Sequence, residues 1–507
     1  MKHMKLFSLI TAAAMLLGAV AALASCSDSK PSGSETGTLP ADSSGVAAVT
    51  TETPVTTEPL VTLEVKDLDN TEIVMLWPTP LTTEGHFINN ELAGDGSDPS
   101  DIINWTVYQR TKDVEEAYNV RITVVEQKFS TIPSTVKNEY NTNSSSYGAL
   151  ATVIASMSPI ALEGALADFR ELPYCGEETT WWNHDLMKKL AVANRQYFGS
   201  GDIIYSDDLY PYVVYANTGL ADTLQIRDNF YDLVAKKEWT LDKFHELAVI
   251  AAADLDGDGV KSNSLFDRFG AVDGTSFARA IYYSAGKGVI SLDSEGYPSL
   301  EMTAEHADTV LTKIVSVFHN DTAVVDAETK FGVNTAMGII NMFCQDQMLF
   351  MPGDLKAAQA FSGLSNALPD FALLPIPLWN SDSEYVCVMN DAVVISVPAM
   401  AENIEDAALI LSAMSRASVD TLTPAFFDMI LAYRYMTNAQ SVSTLKLILN
   451  SVVPRDVADI QGWGGLMSSF SRFAVEGNTE FQSTYASCVR TLNSTMRTYK
   501  AQLSKIN

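Results

Sequence analysis

Apolar and polar positions along the chain follow two periods, and the period switches in a recurring order. "TEIVMLW" (Thr71–Trp77) is a nearly continuous apolar run of strand length. "WTVYQRTKDVEEAYN" (Trp105–Asn119) then repeats apolar residues at helical spacing, and Asn119 is a plausible helix stop. "VRITVVEQ" (Val120–Gln127) alternates with the period of a strand. Strand, helix, strand in that order predicts a βαβ start and an α/β layer structure. Further along, "EYVCVMNDAVVISV" (Glu384–Val397) reads as a strand run, and "NIEDAALILSAMS" (Asn403–Ser415) as a helix with one apolar face. Roughly the last hundred residues read as mainly helical, and no internal repeat is visible.

The amino-terminal pattern is different. Lys2 and Lys5 precede a stretch, Leu6–Leu23, that is apolar apart from Ser8 and Thr11. Small residues, Ala24 and Ser25, sit before Cys26. This is the pattern of an export signal cut at small residues, and the run is long enough to border on a membrane span. Leu23-Ala24-Ser25-Cys26 resembles the bacterial lipobox. That resemblance implies cleavage before Cys26, a signal peptide over 1–25, and a diacylglyceryl group on the Cys26 thiol. Two acyl chains suffice for stable anchoring in the cell membrane. An ordinary signal with a chance cysteine is the alternative. Ser27–Pro59 is rich in Ser, Thr, Gly, Pro and Glu and has no aromatic residue. Such a segment cannot bury enough apolar area to fold, so 26–65 is expected to be a disordered tether. Its Thr-Glu and Thr-Thr pairs leave a glycosylated stalk open.

About 440 residues remain, too many for one core, so two or more lobes are expected. The composition, 47% hydrophobic and 19% charged, is that of a globular protein. With 62 acidic against 33 basic residues the formal net charge is −29, which repels nucleic acid and anionic lipid. Nucleic-acid binding is therefore set aside. Cys175, Cys344, Cys387 and Cys488 show neither CxxC pairing nor zinc spacing. They are read as small buried hydrophobes, with up to two disulfides as the alternative.

"DDLYPYVVYANTGLADTLQIRDNFYDLVAKKEWTLDKFHELAVIAAADLDGDG" (Asp207–Gly259) resembles the family 1 extracellular solute-binding proteins of ABC importers, the group that contains maltose-binding protein. The shared features are a strand that ends in an Asn-containing turn, "VVYANTGLA", and Trp239-Thr240 opening the next helix. Thr240 suits the N-cap position. Further pieces fall in the family's order: "VYQRTKDVEEAYNVRITVVE", "GALADFRELP", "FALLPIPLWNSDSEYVCVMNDAVVIS" and "GWGGLMSSFSRFAV". The resemblance spans Thr71 to the C-terminus. It implies an α/β, two-lobed periplasmic-binding-protein-like fold with an interlobe cleft and hinge strands. Mapped on this chain, lobe one is 66–215 plus 371–415 and lobe two is 216–370 plus 416–507.

"DLDGDGVKSNSLFD" (Asp254–Asp267) matches the first half of a calcium loop. Asp254, Asp256 and Asp258 alternate before Gly259, and Asp267 is a late closing acid where Leu265 holds the usual position. An acidic helix-to-turn loop without metal and a structural calcium site are both open here. Sugars present flat apolar faces and many hydroxyls, so sites supply aromatic planes, carboxylates and amides. Trp77 closes the first strand, where α/β sites open. By resemblance Trp463 lies in a late ligand-side segment, Phe277 and Asp354 lie near the cleft in lobe two, and Asp208, Tyr210 and Asp391 lie near the hinge. A tryptophan at a strand end packs more often than it stacks on ligand. Trp239, Trp181 and Trp182 are expected to pack in the core.

Three functions compete. The first is a monomeric lipoprotein outside the cytoplasm that closes on a solute, a carbohydrate by family, and delivers it to ABC permease subunits. No cofactor is needed beyond the candidate calcium. The second is an anchored glycosidase, which needs two carboxylates about 5–9 Å apart. No HExxH, GxSxG or P-loop is present, and the six histidines are scattered. The third is surface glycan capture or sensing without transport.

Overall fold

The computed structural model describes residues 63–79, 91–191, 194–261, 265–326, 330–333, 336–357, 370–389, 393–427 and 438–506. Met1–Glu58 and Pro59–Asn507 separate into two units, and the architecture below is that of the second. Cys26 and Asp391 lie outside the described residues.

The expected βαβ start is present. β1 (Thr71–Pro78) leads to a helix over Ile102–Tyr118 and then to β2 (Val120–Gln127). Asp101 caps the helix by accepting from Asn104 N–H, and Asn119 ends it in the left-handed conformation at φ 45°. Its buried stripe is Ile103, Val107, Arg110, Thr111, Val114 and Tyr118. β3 (Ala149–Val153) follows, and β1 pairs in parallel with both β2 and β3.

The chain then enters a second sheet through β4 (Tyr212–Asn217) and β5 (Phe269–Asp273). A short hairpin of β6 (Ile290–Leu292) and β7 (Pro298–Leu300) follows, then β8 (Val324–Asp326), β9 (Met348–Asp354) and β10 (Phe371–Leu374). The five-stranded order is β10-β4-β9-β5-β8. The strand run expected over Glu384–Val397 is two strands, β11 (Cys387–Met389) and β12 (Val393–Ser396). β12 joins the first sheet antiparallel to β3, giving the order β12-β3-β1-β2. β11 forms a separate two-stranded ribbon with β13 (Val452–Pro454).

Strands near the expected lobe edges pair as follows. β4 and β10, placed wholly or partly in lobe one from sequence, hydrogen-bond in the second sheet. The return to lobe one comes only with β12. The helix Ile404–Val419 runs past residue 415, and Ser418 and Thr423 bond to lobe-one residues Arg110 and Asp202.

Lobe two is organised around rings. Trp239 is fully buried, donates Nε1–H to Pro375 O at 2.9 Å, and packs on Phe244 and Phe350. Thr240 caps the next helix, Leu241–Ala251, accepting from Lys243 N–H. Trp181 and Trp182 are buried in lobe one, and Phe169 meets Trp182 edge-on. Cys175, Cys387 and Cys488 are buried and Cys344 is half-buried, all as free thiols. Helices Leu466–Val475 and Gln482–Ile506 close the chain. Among the described residues no helix is long and apolar enough to cross a membrane.

Candidate functional site

The topology brings the carboxyl edges of both sheets to one junction. β12 begins at Val393, opposite Val153, the carboxyl end of β3. β4 begins at Tyr212, opposite Asp354, the carboxyl end of β9. Each lobe is therefore entered at the edge where open α/β sheets take ligands. Four segments lie side by side there. Leu355 N–H donates to Pro211 O at 2.9 Å, Pro211 bridges to Met389, and β11 pairs with β13. The junction thus has two flanks, one beside β9 and one beside β13.

The β9 flank gathers three sequence-predicted residues, Asp208, Tyr210 and Asp354. Lys356 N–H donates to Leu209 O at 2.8 Å. Lys356 Nζ lies 3.9 Å from Asp354 Oδ2 and 5.0 Å from the centre of the Tyr210 ring. The Tyr215 hydroxyl donates to the Asp354 and Leu355 carbonyls, which fixes the end of β9.

Further carboxyls stand behind these. Glu91 is fully buried; its Oε2 accepts from Tyr205 N–H at 2.8 Å and Ser206 N–H at 3.1 Å, and its Oε1 has no partner. Burial pushes Glu91 up to about 7. Burial, followed by the Asp202 charge, pushes Asp208 up to about 7. Asp207 is driven well above the carboxylate range by burial and then by Asp208; its Oδ2 accepts from Ser200 Oγ. Asp202 is raised by burial and accepts from Thr423 Oγ1 at 2.6 Å. The buried cation is Arg110. Its guanidinium donates to the carbonyls of Ile203, Glu91 and Leu92 and to Ser418 Oγ. Its hydrogen bonds go to carbonyls and hydroxyls, none to a carboxylate oxygen among the described residues. Sequence reading missed Arg110, Glu91 and Lys356. For Arg110 a signal existed: a basic residue on the apolar stripe of its helix implies a buried cation.

The other three predicted rings are placed elsewhere. Trp77 is in the lobe-one core. Phe277 is fully buried, 5.3 Å from Phe244 and 5.9 Å from Phe318. Trp463 is 6% exposed, donates Nε1–H to Gln461 Oε1 at 3.0 Å and meets Tyr499 edge-on at 4.6 Å. None offers a ring face to solvent in this conformation.

In the acidic loop, carboxylate oxygens of Asp254, Asp256 and Asp267 lie within 4.8 Å of one another. Asp254 accepts from Gly257 N–H and Gly259 N–H, and both glycines hold positive φ, 80° and 87°. Asp267 is buried and accepts from Leu255 N–H at 3.0 Å. Three hard oxygen donors this close suit a calcium ion. Asp258 is outside the group and accepts from Val260 N–H.

The β13 flank holds a cavity of about 410 Å³. Ile154, Leu190 and Phe198 of lobe one face Ile290, Val457 and Ile460 across it. Its polar groups are largely engaged. Asp456 accepts from Ala458, Asp459 and Val289 N–H and from the Tyr283 hydroxyl, and burial pushes it up to about 6. Arg455 donates to Asp459. A sugar would find few partners for its hydroxyls there.

No family model matches the chain, and no curated protein matches it. Solved structures do match. The maltose-binding MalE of Listeria monocytogenes, in complex with maltose, is 12% identical, with TM-score 0.54, covering 85% of this chain and 99% of that one. The chain has the fold of the ABC-transporter substrate-binding proteins. The Bifidobacterium longum galacto-N-biose/lacto-N-biose I-binding protein, in complex with lacto-N-biose, is 10% identical, with TM-score 0.54 and coverages of 86% and 99%. Lmo0181 of Listeria monocytogenes, in complex with cycloalternan, is 13% identical, with TM-score 0.53 and coverages of 84% and 99%.

Proposed function

We propose that this chain is an extracytoplasmic binding protein, not an enzyme, that captures a carbohydrate at the lobe junction by closing its lobes on it. The observation that carries the reading is the convergence of both carboxyl sheet edges on one junction, in a fold whose solved examples include maltose, lacto-N-biose and cycloalternan complexes. Asp208, Asp354, Lys356 and Tyr210 on the β9 flank supply the hydroxyl-binding groups. Ligand bridging both lobes favours the closed state by its differential affinity. The closed form then presents the solute to an ABC import permease, with the protein held at the membrane by lipid on Cys26. Surface glycan capture without transport uses the same site. Asp254, Asp256 and Asp267 hold a structural calcium ion.

The test is a thermal-shift and calorimetric screen of neutral mono- and oligosaccharides, with polyols and short peptides as controls. A sugar at 100 times its Kd adds about 2.7 kcal/mol of stability. It should be recovered unchanged. A folded protein that responds to no sugar contradicts the reading. Loss of signal from radiolabelled palmitate on Cys26→Ala in the producing cell tests the anchor.

A further inference from the structure

The cavity on the β13 flank has a chemistry of its own. Its volume, about 410 Å³, falls within the range of small-molecule sites. Its walls are mostly aliphatic: Ile154, Leu190, Ile290, Val453, Val457 and Ile460. Such walls favour an apolar body and give a sugar few partners for its hydroxyls.

Its charge runs against that of the chain. Lys189, Lys287 and Arg455 line it, against Glu301 and Asp456, in a protein with 62 acidic and 33 basic residues. The two carboxylates are engaged, Asp456 as described and Glu301 by Gly288 N–H at 3.0 Å. Arg455 is held by Asp459. Lys189 donates to the Val452 carbonyl at 3.2 Å and makes no ion pair among the described residues. Lys287, half-buried, likewise makes none among them. Two ammonium groups thus stand beside an aliphatic chamber, with no carboxylate among the described residues paired to either.

The geometry points to a second binding site here, for a small amphipathic carboxylate. Its apolar body lies among Ile154, Phe198, Val457 and Ile460, and its carboxylate reaches Lys287 and Lys189. The proposal does not rest on the sugar reading, which uses Asp208 and Asp354 on the other flank.

The test uses the full-length chain and three probes of equal length: octanoate, octanol and octylamine, titrated by calorimetry below their aggregation limits. Octanoate is expected to bind at one saturable site, octanol more weakly, and octylamine not at all. Lys287→Gln is expected to weaken octanoate about fivefold and leave octanol unchanged. Ile460→Trp, which fills the chamber, is expected to abolish both. If that variant unfolds, Val457→Phe is the second filling variant, and the Lys287→Gln selectivity stands alone. Absence of saturable octanoate binding, equal binding of octylamine, or octanoate binding that survives a folded filling variant would overturn the proposal.

Discussion

The two flanks of the junction share a ribbon and differ in almost everything else. Beside β9 the chain sets the raised carboxyls Glu91, Asp202, Asp207 and Asp208, with buried Arg110 as the charge beside Glu91. Beside β13 it sets an aliphatic chamber with lysines at its wall. The first flank is built of groups that are costly to bury, and burial holds several of them near neutrality. The second is built of groups that gain from burial. A concavity between two lobes is therefore not one site by default. The chemistry of each wall decides what it can take.

The largest effect should come from breaking the first flank at its cation. Arg110→Met removes donors to three carbonyls and leaves Glu91 beside no counter-charge. A loss of about 3–5 kcal/mol is expected in denaturant unfolding. A loss below about 1 kcal/mol would mean that the carboxyl cluster does not depend on it.

The next test is pH. Glu91 is raised from 4.5 to about 7 in the fold. Its neutral form is favoured, so the stability it contributes is present in full below the ordinary carboxylate range and is lost as pH rises through about 7. Asp208 shifts in the same direction. Stability should fall between pH 5 and 8, with about 3 kcal/mol assignable to a group shifted this far. Glu91→Gln keeps an acceptor for Tyr205 and Ser206 N–H and should flatten the slope. An unchanged slope would place Glu91 outside the titration.

Chelation is the third test. Calcium at 100 times its Kd would add about 2.7 kcal/mol. Chelator should lower the unfolding temperature of the parent protein and not that of Asp267→Asn. Equal curves with and without chelator would remove the ion from the account. A smaller effect is expected at the site itself. Asp354→Asn should weaken sugar binding about ten- to hundredfold while leaving the fold intact.

Much of the fold was legible in the sequence, and for identifiable reasons. Val120–Gln127 alternates cleanly, and Asn119 stops the preceding helix because it tolerates the left-handed conformation. The strand run over Glu384–Val397 was legible as strand, but not as two strands in different sheets. Periodicity reports local conformation and is silent on partners. The same limit explains β10, a buried run whose pairing with β4 no local pattern encodes. Asp208, Tyr210 and Asp354 come together because the start of β4 faces the end of β9. Trp77, expected at the site from its strand end, and Phe277 and Trp463, expected there by resemblance, are core rings in this conformation. A large ring gains so much from burial that its chemistry alone does not tell a packed position from a stacking one. The chamber beside β13 was invisible, since its walls come from residues far apart in the chain.

The most direct test of the account is calorimetric titration of the best sugar from the screen into three proteins: the parent, Asp208→Asn/Asp354→Asn, and Ile460→Trp. Solute capture on the β9 flank predicts that the double variant loses at least tenfold in affinity and the filling variant keeps parental affinity. Full affinity in the folded double variant, together with its loss on filling the chamber, would put the sugar beside β13 and contradict the assignment.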